Sequence, residues 1–336
     1  MELKIAFFGV KSWERETIEK AIVKLDSEGI GIFEGEVQDN LGLASKYDII
    51  SVFIYSRLDK EILGKLPKLK MVASRSTGTD HIDSDYCLKK NIVVKNVPAY
   101  GSNTVAEYTL GLILAVSKKI VVAHQAVENG EFSPEGLTGI DLEGKTLGVV
   151  GVGKIGQKVV RLGRALGMRV IAVERKRDEK LAKSLHFKYA TLEEVLKQAD
   201  VVTLHVPYLP AGRQGLPTTH HLINKQNIKL MKPGSFLVNT SRGPVVEAEA
   251  IVWALNKKIL AGDGLDVTEE EDKVESISMV TSKKPSKDDL QEVLSYHLLR
   301  DRDDVVFTPH NAFNTKEAIE RIVETTIENI KSFAKV

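Results

Sequence analysis

Several features that define whole classes of protein are scarce or missing in this chain. Among its 336 residues there is one cysteine, Cys87, which excludes an internal disulfide, a cysteine-based metal cluster and a CxxC redox pair. Lys and Arg number 47 against 46 Asp and Glu, so neither nucleic acid nor an anionic membrane surface is an expected partner. The apolar run over residues 5–10 is too short for a signal peptide or a membrane span. These absences predict a soluble cytoplasmic protein, long enough for two domains.

What the chain does have is a twice-repeated alternation of strands and helices. Residues 1–95 alternate apolar runs such as "LKIAFFG" and "YDIISVFIY" with helix-like segments, which is typical of βαβ units and a parallel sheet. One long helix is predicted from Thr104, and the alternation then resumes from residue 147. The sequence predicts an α/β protein with two doubly wound parallel sheets. Residues 208–221 and 268–304 are predicted to be loop insertions, because they are irregular or strongly polar.

The second alternation opens with a glycine-rich turn. The strand "TLGVVG" leads into Gly151, Gly153 and Gly156, and a segment with helical apolar spacing follows. In such a turn the first glycine bends the chain, the second lets the backbone approach a pyrophosphate, and the third lets helix and strand pack closely. Turn geometry alone is the alternative explanation, but strand, helix and spacing together favour a dinucleotide. Only Gly9 follows the first strand of the chain, so no dinucleotide is expected there.

An acidic residue bears on which dinucleotide is bound. Glu174 ends the next predicted strand, where its carboxylate can accept hydrogen bonds from the adenosine ribose hydroxyls. This position favours NAD as the cofactor. Arg175 and Lys176 follow immediately and can pair with a 2′-phosphate, which leaves NADP open.

A nicotinamide cofactor needs protein groups that bind an acid, polarise a carbonyl and supply a proton. Candidates end three predicted strands: Arg242 in "LVNTSRG", Glu271 in "LDVTEEE" and His310 in "VVFTPHN". The planar guanidinium of Arg242 can bind the carboxylate and the carbonyl oxygen of a 2-oxo acid together. Its alternative role is to cap a surface turn.

Proton transfer is assigned to a histidine. His310 suits this role because imidazole titrates near neutral pH, and a carboxylate such as Glu271 on its far nitrogen would stabilise the imidazolium. Taken alone, a histidine after proline at a strand end is as well explained by structure. His205, His220 and His221 lack an equivalent setting and are predicted to be loop or packing residues, and no metal site is indicated.

The chain resembles the D-isomer-specific 2-hydroxyacid dehydrogenase family over nearly its whole length, closest to the D-lactate dehydrogenase branch. The matching segments, in order, are "STGTDHID", "NVPAYGSNTVAE", "TLGVVGVGKIG", "LHVP", "LMKPGSFLVNTSRG", "GLDVTEEE" and "TPHNAFNT". The resemblance implies a Rossmann NAD-binding domain, residues 100–311, inserted into a flavodoxin-like substrate-binding domain, residues 1–99 and 312–336. It also implies an active site in the cleft between them and a homodimer to which the helix after Thr104 contributes.

The resemblance assigns roles to individual residues as well. Arg242, Glu271 and His310 fall on the family's catalytic positions, and Thr77 and Gly78 on the loop that holds the substrate carboxylate. The cofactor-contacting positions are Gly151, Gly153, Lys154, Ile155, Gly156, Glu174, Val206, Pro207, Thr219, Thr240, Ser241 and Asp266. Thr219 follows a connection that is several residues longer than the family's pattern, which puts its contact in doubt.

Three aromatic residues bear on the substrate. Tyr55, Tyr100 and Phe313 fall on positions that crowd a small substrate in the D-lactate dehydrogenase branch, although each would equally suit an ordinary core. The function predicted is NADH-dependent reduction of pyruvate to D-lactate, with a slightly larger 2-oxo acid close behind. Two alternatives stay open: an NADPH-preferring glyoxylate or hydroxypyruvate reductase, and a non-catalytic NADH-sensing protein.

Overall fold

The chain forms two compact units. The computed structural model describes residues 3–25, 27, 29–210, 218–269 and 287–334, with the backbone alone given for 287–293. One unit joins Met1–Tyr100 to Asn314–Val336, and the other is the intervening segment Gly101–Phe313. Each contains its own parallel sheet, which confirms the predicted α/β fold class.

The first unit is built on a five-stranded parallel sheet in the order β2-β1-β3-β4-β5. Its strands are Ile5–Phe7 (β1), Ile30–Ile32 (β2), Ile49–Val52 (β3), Met71–Ser74 (β4) and Val93–Lys95 (β5). Its helices are Ser12–Ile22 (α1), Leu41–Ala44 (α2), Lys60–Gly64 (α3), Ser84–Lys89 (α4) and Lys316–Ala334 (α12).

The C-terminal helix α12 belongs to the core of this first unit. Its residues Val323, Ile327 and Ile330 are buried in one hydrophobic cluster with Ile18 of α1 and Ile49 of β3. The other cluster of the unit contains Ile50 and Val52 of β3 together with Cys87 of α4. The sheet is therefore covered by apolar side chains on both faces, as a parallel sheet requires.

The second unit carries a seven-stranded parallel sheet in the order β12-β11-β10-β9-β6-β7-β8. Its strands are Thr146–Val150 (β6), Arg169–Val173 (β7), Lys188–Tyr189 (β8), Val201–Leu204 (β9), Ser235–Asn239 (β10), Leu260–Leu265 (β11) and Val305–Phe307 (β12). Its helices are Ser102–Ser117 (α5), Ile120–Glu128 (α6), Lys154–Ala165 (α7), Glu179–Leu185 (α8), Leu192–Gln198 (α9), Ala248–Asn256 (α10) and Lys287–Arg300 (α11). The strand order reverses between β6 and β9, the point at which doubly wound sheets bind their ligands.

The single long helix predicted from Thr104 is wrong, because the structure divides it into α5 and α6. Lys119 lies between them with a φ of 54°, and the two axes are bent by 61°. The carbonyl of Ser117, at the end of α5, accepts a hydrogen bond from the backbone N–H of Ile140 instead of continuing a helix. Apolar periodicity continues across the break, so the pattern alone does not reveal it.

Within the described segments no single helix is both long and apolar enough to cross a membrane, and only α5 and α6 taken together, across their bend, reach that length.

Candidate active site

The glycine turn after β6 has the geometry that its sequence predicts. Gly151 has a φ of 95°, and a Cβ there would lie 2.5 Å from the carbonyl oxygen of His205. A Cβ on Gly156 would overlap the carbonyl oxygen of Gly151. At Gly153, by contrast, a Cβ would have no described atom within 4 Å. The turn itself therefore requires glycine at positions 151 and 156. Gly153 instead leaves open space beside the N-terminus of α7, where a pyrophosphate fits.

Glu174 lies beside this turn at the end of β7. Its Oε2 accepts a hydrogen bond from the backbone N–H of Val152 at 2.9 Å, and Oε1 accepts one from the backbone N–H of Arg175 at 2.8 Å. These bonds leave lone pairs on both oxygens for ribose hydroxyls. Arg175 and Lys176 are exposed. The residues present therefore fit a dinucleotide, with the acid close to the glycine turn.

The other cofactor-contacting candidates lie along the carboxyl edge of the same sheet. Thr219 is among them despite the insertion before it: its hydroxyl donates to the carbonyl oxygen of Pro207 at 2.7 Å. The hydroxyl of Thr240 lies 2.8 Å from that of Thr109, and the backbone N–H of Ser241 donates to Asn239 Oδ1. The remaining positions are Lys154 and Ile155 at the start of α7, and Val206 after β9.

Asp266 binds the loop that carries His310. One oxygen of its buried carboxylate accepts hydrogen bonds from the Thr308 hydroxyl and the Asn311 backbone N–H, both at 2.7 Å. The other accepts from the Ala312 backbone N–H at 2.8 Å. Burial raises the pKa of Asp266, and these hydrogen bonds oppose the rise. The carboxylate therefore holds the chain from residue 308 to residue 312 in one conformation.

His310 follows β12 with a left-handed backbone. Its φ is 48°, a conformation that costs energy for a residue with a Cβ. Its ring meets the ring of Phe313 edge to face, with 6.3 Å between the centroids. Strain of this kind persists only where surrounding contacts enforce it, and the bonds to Asp266 are such contacts.

Arg242 follows β10 in extended backbone. Its Nη1 donates to the carbonyl oxygen of Ser241 at 2.8 Å, and its own carbonyl oxygen accepts from Asn239 Nδ2. The side chain is half-buried. A Cβ on the next residue, Gly243, would overlap the backbone of Thr268, so the loops after β10 and β11 touch at this glycine.

A hydrogen-bonded pair of side chains that sequence reasoning missed lies in this unit. Nε2 of His221 and Oε1 of Glu269 are 2.5 Å apart, and Glu269 Oε2 accepts from the Ala248 backbone N–H at 3.3 Å. His221 was predicted to be a loop or packing residue, since no local pattern marks a partner 48 residues away. Glu271, two residues beyond Glu269, lies outside the described residues.

The remaining candidates lie in the first unit. Tyr55 and Thr77 follow β3 and β4, so they share the carboxyl edge of that sheet with Gly78. The Tyr55 ring lies 5.6 Å from that of Phe53, and the Thr77 hydroxyl donates to the Val97 carbonyl oxygen at 2.9 Å. The carbonyl oxygen of Tyr100, at the end of the unit's first segment, accepts from Arg321 Nε at 2.8 Å.

Among the described residues, no group of three or more His, Cys, Asp or Glu side chains is placed to hold a metal ion.

Known proteins of related sequence match this chain over nearly its whole length. Residues 110–312 match the family model of the D-isomer specific 2-hydroxyacid dehydrogenase NAD binding domain. A 2-hydroxyacid dehydrogenase homolog of Zymomonas mobilis is 33% identical over 331 residues, which are 98% of this chain and 96% of that protein. A glyoxylate reductase of Thermococcus litoralis is 34% identical over 295 residues, 86% of this chain and 81% of that protein.

A solved structure gives the same result. The D-lactate dehydrogenase of Aquifex aeolicus, complexed with NAD and lactic acid, superposes with a TM-score of 0.85 at 36% identity. The match covers 99% of this chain and 96% of that one. The chain belongs to the D-isomer-specific 2-hydroxyacid dehydrogenase family, and it is an NAD-dependent oxidoreductase.

Proposed function

We propose that this protein is a D-lactate dehydrogenase, which reduces pyruvate to D-lactate with NADH. The observation that carries the proposal is the contact between His310 and Phe313, which sets an aromatic ring beside the proposed proton donor. The Phe313 side chain is 7% exposed, so it is held in place. A fixed ring suits the methyl group of a small 2-oxo acid. The likeness to the Aquifex aeolicus enzyme supports the same substrate.

Arg242 binds the substrate in this proposal. Its guanidinium presents donors in a planar fork, which matches a carboxylate and a neighbouring carbonyl oxygen. Binding the carbonyl oxygen polarises the C=O bond, and the same donors stabilise the negative charge that grows on that oxygen in the transition state. The bond from Nη1 to the Ser241 carbonyl oxygen restrains the side chain from one side.

His310 transfers the proton. It donates a proton to the carbonyl oxygen during reduction and takes one from the hydroxyl during oxidation. Glu271 is proposed to accept a hydrogen bond from the other ring nitrogen and so to stabilise the imidazolium. The backbone position of His310 depends on the Asp266 carboxylate through the loop over 308–312.

When bound, NADH would supply a hydride to the carbonyl carbon in reduction, and NAD⁺ would accept one in oxidation. We propose that the glycine turn and the N-terminus of α7 bind its pyrophosphate, and that Glu174 binds the adenosine ribose. The other proposed contacts are Lys154, Ile155, Val206, Pro207, Thr219, Thr240, Ser241 and Asp266. In the first unit, Thr77 and Gly78 are proposed to bind the substrate carboxylate, and Tyr55 and Tyr100 its methyl end.

A glyoxylate reductase that prefers NADPH is the second candidate. Two observations favour it: the exposed Arg175 and Lys176 beside Glu174, and the 34% identity to a glyoxylate reductase. Against it stands Glu174 itself, because its carboxylate would repel a 2′-phosphate.

We also propose a cytoplasmic homodimer that pairs through α6. No residue of α6 is buried, although the helix is apolar. Its first residue, Ile120, is 54% exposed, and Val127, next to its last residue, is 47% exposed. An exposed apolar helix of this kind is expected to be covered by a second copy.

The first experiment is a substrate panel. Oxidation of NADH would be followed by its absorbance with pyruvate, 2-oxobutyrate, 4-methyl-2-oxopentanoate, phenylpyruvate, hydroxypyruvate and glyoxylate, each repeated with NADPH. Pyruvate as the best substrate with D-lactate as product supports the proposal. A large advantage for glyoxylate with NADPH supports the second candidate, a bulky 2-oxo acid as the best substrate shows a wider pocket, and no turnover indicates an NADH-sensing protein.

The catalytic histidine has a direct test. His310→Gln should lower kcat by about a hundredfold or more while sparing NADH binding. His186→Gln, which changes an exposed histidine of the same unit, is the matched control. Unimpaired turnover in His310→Gln would remove His310 from the mechanism.

A further inference from the structure

A fully buried ion pair lies at the carboxyl edge of the sheet in the first unit. The Arg75 guanidinium and the Glu14 carboxylate, 61 residues apart, are joined by two parallel hydrogen bonds. Nε donates to Oε2 at 3.0 Å, and Nη2 donates to Oε1 at 3.0 Å. Arg75 is 0% exposed, and the Glu14 side chain is 1% exposed. Such a pair is unusual, because charged side chains are rarely buried completely.

The guanidinium also joins neighbouring strand ends. Nη2 donates to the Phe8 carbonyl oxygen at 2.9 Å, just after β1, and Nη1 donates to Ser51 Oγ of β3 at 3.3 Å. The backbone N–H of Arg75 donates to the Val52 carbonyl oxygen at 2.7 Å. Arg75 follows β4, so one side chain links the ends of β1, β3 and β4 to the first turn of α1.

Stability alone does not account for this arrangement. Burying two charges costs several kcal/mol per ion, and apolar side chains of similar volume are often as stable or more so. What a bidentate pair provides and an apolar contact does not is a fixed direction. The pair fixes the direction of Arg75, which lies two positions before Thr77.

The loop after Arg75 is held by a second set of bonds. Ser76 Oγ donates to the Gly78 carbonyl oxygen at 2.6 Å, and the Ser76 carbonyl oxygen accepts from the Val97 backbone N–H. Asn96 Nδ2 donates to the Thr77 carbonyl oxygen at 2.6 Å. These contacts connect residues 76–78 to the segment that follows β5. The bonds of Arg75 connect the start of the same loop to β1, β3 and α1.

We propose that the Arg75–Glu14 pair is a positioning device that sets the backbone of Thr77 and Gly78 and thereby determines the affinity for the 2-oxo acid. The inference rests on the proposed function, in which that backbone binds the substrate carboxylate. Arg75 and Glu14 are positioning residues that act through the loop.

The test compares two double variants of the full-length protein. Glu14→Met with Arg75→Met replaces the pair by apolar side chains and leaves no unpaired charge. Asp48→Met with Lys70→Met is the matched control, because Lys70 Nζ and Asp48 Oδ1 form a 2.9 Å ion pair at the amino edge of the same sheet. The measurements are KM and kcat for the best 2-oxo acid, the Kd of NADH, Tm, and amide hydrogen exchange over residues 74–79.

The first double variant should raise KM by about tenfold to a hundredfold, with little change in kcat, because binding to the loop stabilises substrate and transition state alike. The Kd of NADH should stay within about twofold, since the cofactor residues lie in the other unit. Exchange over 74–79 should quicken. The control should lower Tm while KM and exchange at 74–79 stay unchanged.

Arg75→Lys keeps the charge but loses the two parallel bonds, so its KM should fall between those of the wild type and the first double variant. Should that double variant fail to fold, Arg75→Lys decides by the same measurements. The proposal would be overturned if the variant with Glu14→Met and Arg75→Met kept the KM and the hydrogen-exchange rates of the wild type. An equal rise in KM in the control with Asp48→Met and Lys70→Met would overturn it as well. A wild-type protein that reduces no 2-oxo acid refutes the proposed function instead, and hydrogen exchange then still decides whether the pair orders the loop.

Discussion

The backbone N–H of His310 donates a hydrogen bond to the carbonyl oxygen of Asp266 at 2.9 Å. Together with the three bonds that the Asp266 carboxylate accepts, it makes the ends of β11 and β12 one structural element. The proposed proton donor, His310, and the proposed cofactor contact, Asp266, are therefore coupled. Replacing Asp266 should therefore change the position of His310.

Asp266→Asn should lower kcat/KM by about tenfold to a hundredfold, because an amide nitrogen at the Oδ2 position cannot accept from the Ala312 backbone N–H. Steady-state kinetics with the best 2-oxo acid measures the effect. Thr308→Val is the control: it removes one hydroxyl donor to Asp266 and leaves both backbone donors. Equal losses in the two variants would show that the hydroxyl, and not the backbone bonds, holds the loop.

The Glu269–His221 pair anchors the chain two residues before Glu271. His221→Phe should lower kcat by about tenfold while the Kd of NADH stays unchanged, because the pair restrains the segment that carries the proposed carboxylate. His220 stacks on His221 at 3.9 Å, and burial together with His221 lowers its pKa. Its ring Nδ1 lies 3.3 Å from the Tyr208 hydroxyl and does not contact the Glu269 carboxylate. His220→Phe should therefore have a much smaller effect. A similar fall in both variants would point to packing rather than to the His221–Glu269 hydrogen bond.

Alanine replacements at two positions of the glycine turn should have different effects on Tm and on NADH affinity. Gly156→Ala introduces a Cβ that overlaps the Gly151 carbonyl oxygen, so it should lower both Tm and NADH affinity. Gly153→Ala meets no described protein atom within 4 Å, so it should leave the Tm of the cofactor-free protein unchanged. Its Kd for NADH should still rise by about tenfold or more, because the backbone can no longer approach the pyrophosphate. A normal Kd in Gly153→Ala would place the pyrophosphate elsewhere.

Asp263 makes the stability of the second unit depend on pH. Its carboxyl is fully buried in β11, and no described side chain bonds to either oxygen. Burial raises the pKa of Asp263 well above its ordinary value, the charge of Asp304 raises it further, and the Gly264 backbone N–H opposes both. Because the folded pKa exceeds the unfolded one, the native state holds a proton that the unfolded state has lost. Stability therefore falls as pH rises from the ordinary carboxyl range towards the folded pKa.

Asp263→Asn keeps the shape of the side chain and cannot ionise. Its Tm should match the wild type at acid pH and exceed it at neutral pH, by a difference worth on the order of 1–3 kcal/mol. Thermal unfolding at a series of pH values measures this. A constant difference between the two proteins at every pH would contradict the assignment.

The proposed dimer has a simple test at α6. Val127→Glu places a charge on the exposed apolar face of this helix and should shift the protein towards a monomer in sedimentation or light scattering. Leu88→Glu changes another exposed apolar residue, 78% exposed in the first unit, and should leave the oligomeric state unchanged. A wild-type monomer would refute the dimer outright.

Features that depend on neighbours in the sequence could be predicted from it. The alternation of strands and helices and the glycine turn after β6 each involve residues within a few positions, and both are present. Local backbone sterics and period decide such features. The break at Lys119 escaped prediction because apolar periodicity does not report the hydrogen bond from Ile140 that ends α5.

The sequence by itself therefore determined the two parallel sheets, the dinucleotide turn and the family, since these depend on short-range pattern and on motif order. Only the tertiary structure decided which polar groups meet: Glu14 with Arg75, His221 with Glu269, and Asp266 with the loop over 308–312. A buried polar group must find a partner, but its identity depends on which strand ends the fold brings together. For each of these pairs the partners lie more than forty residues apart, beyond the reach of any local pattern.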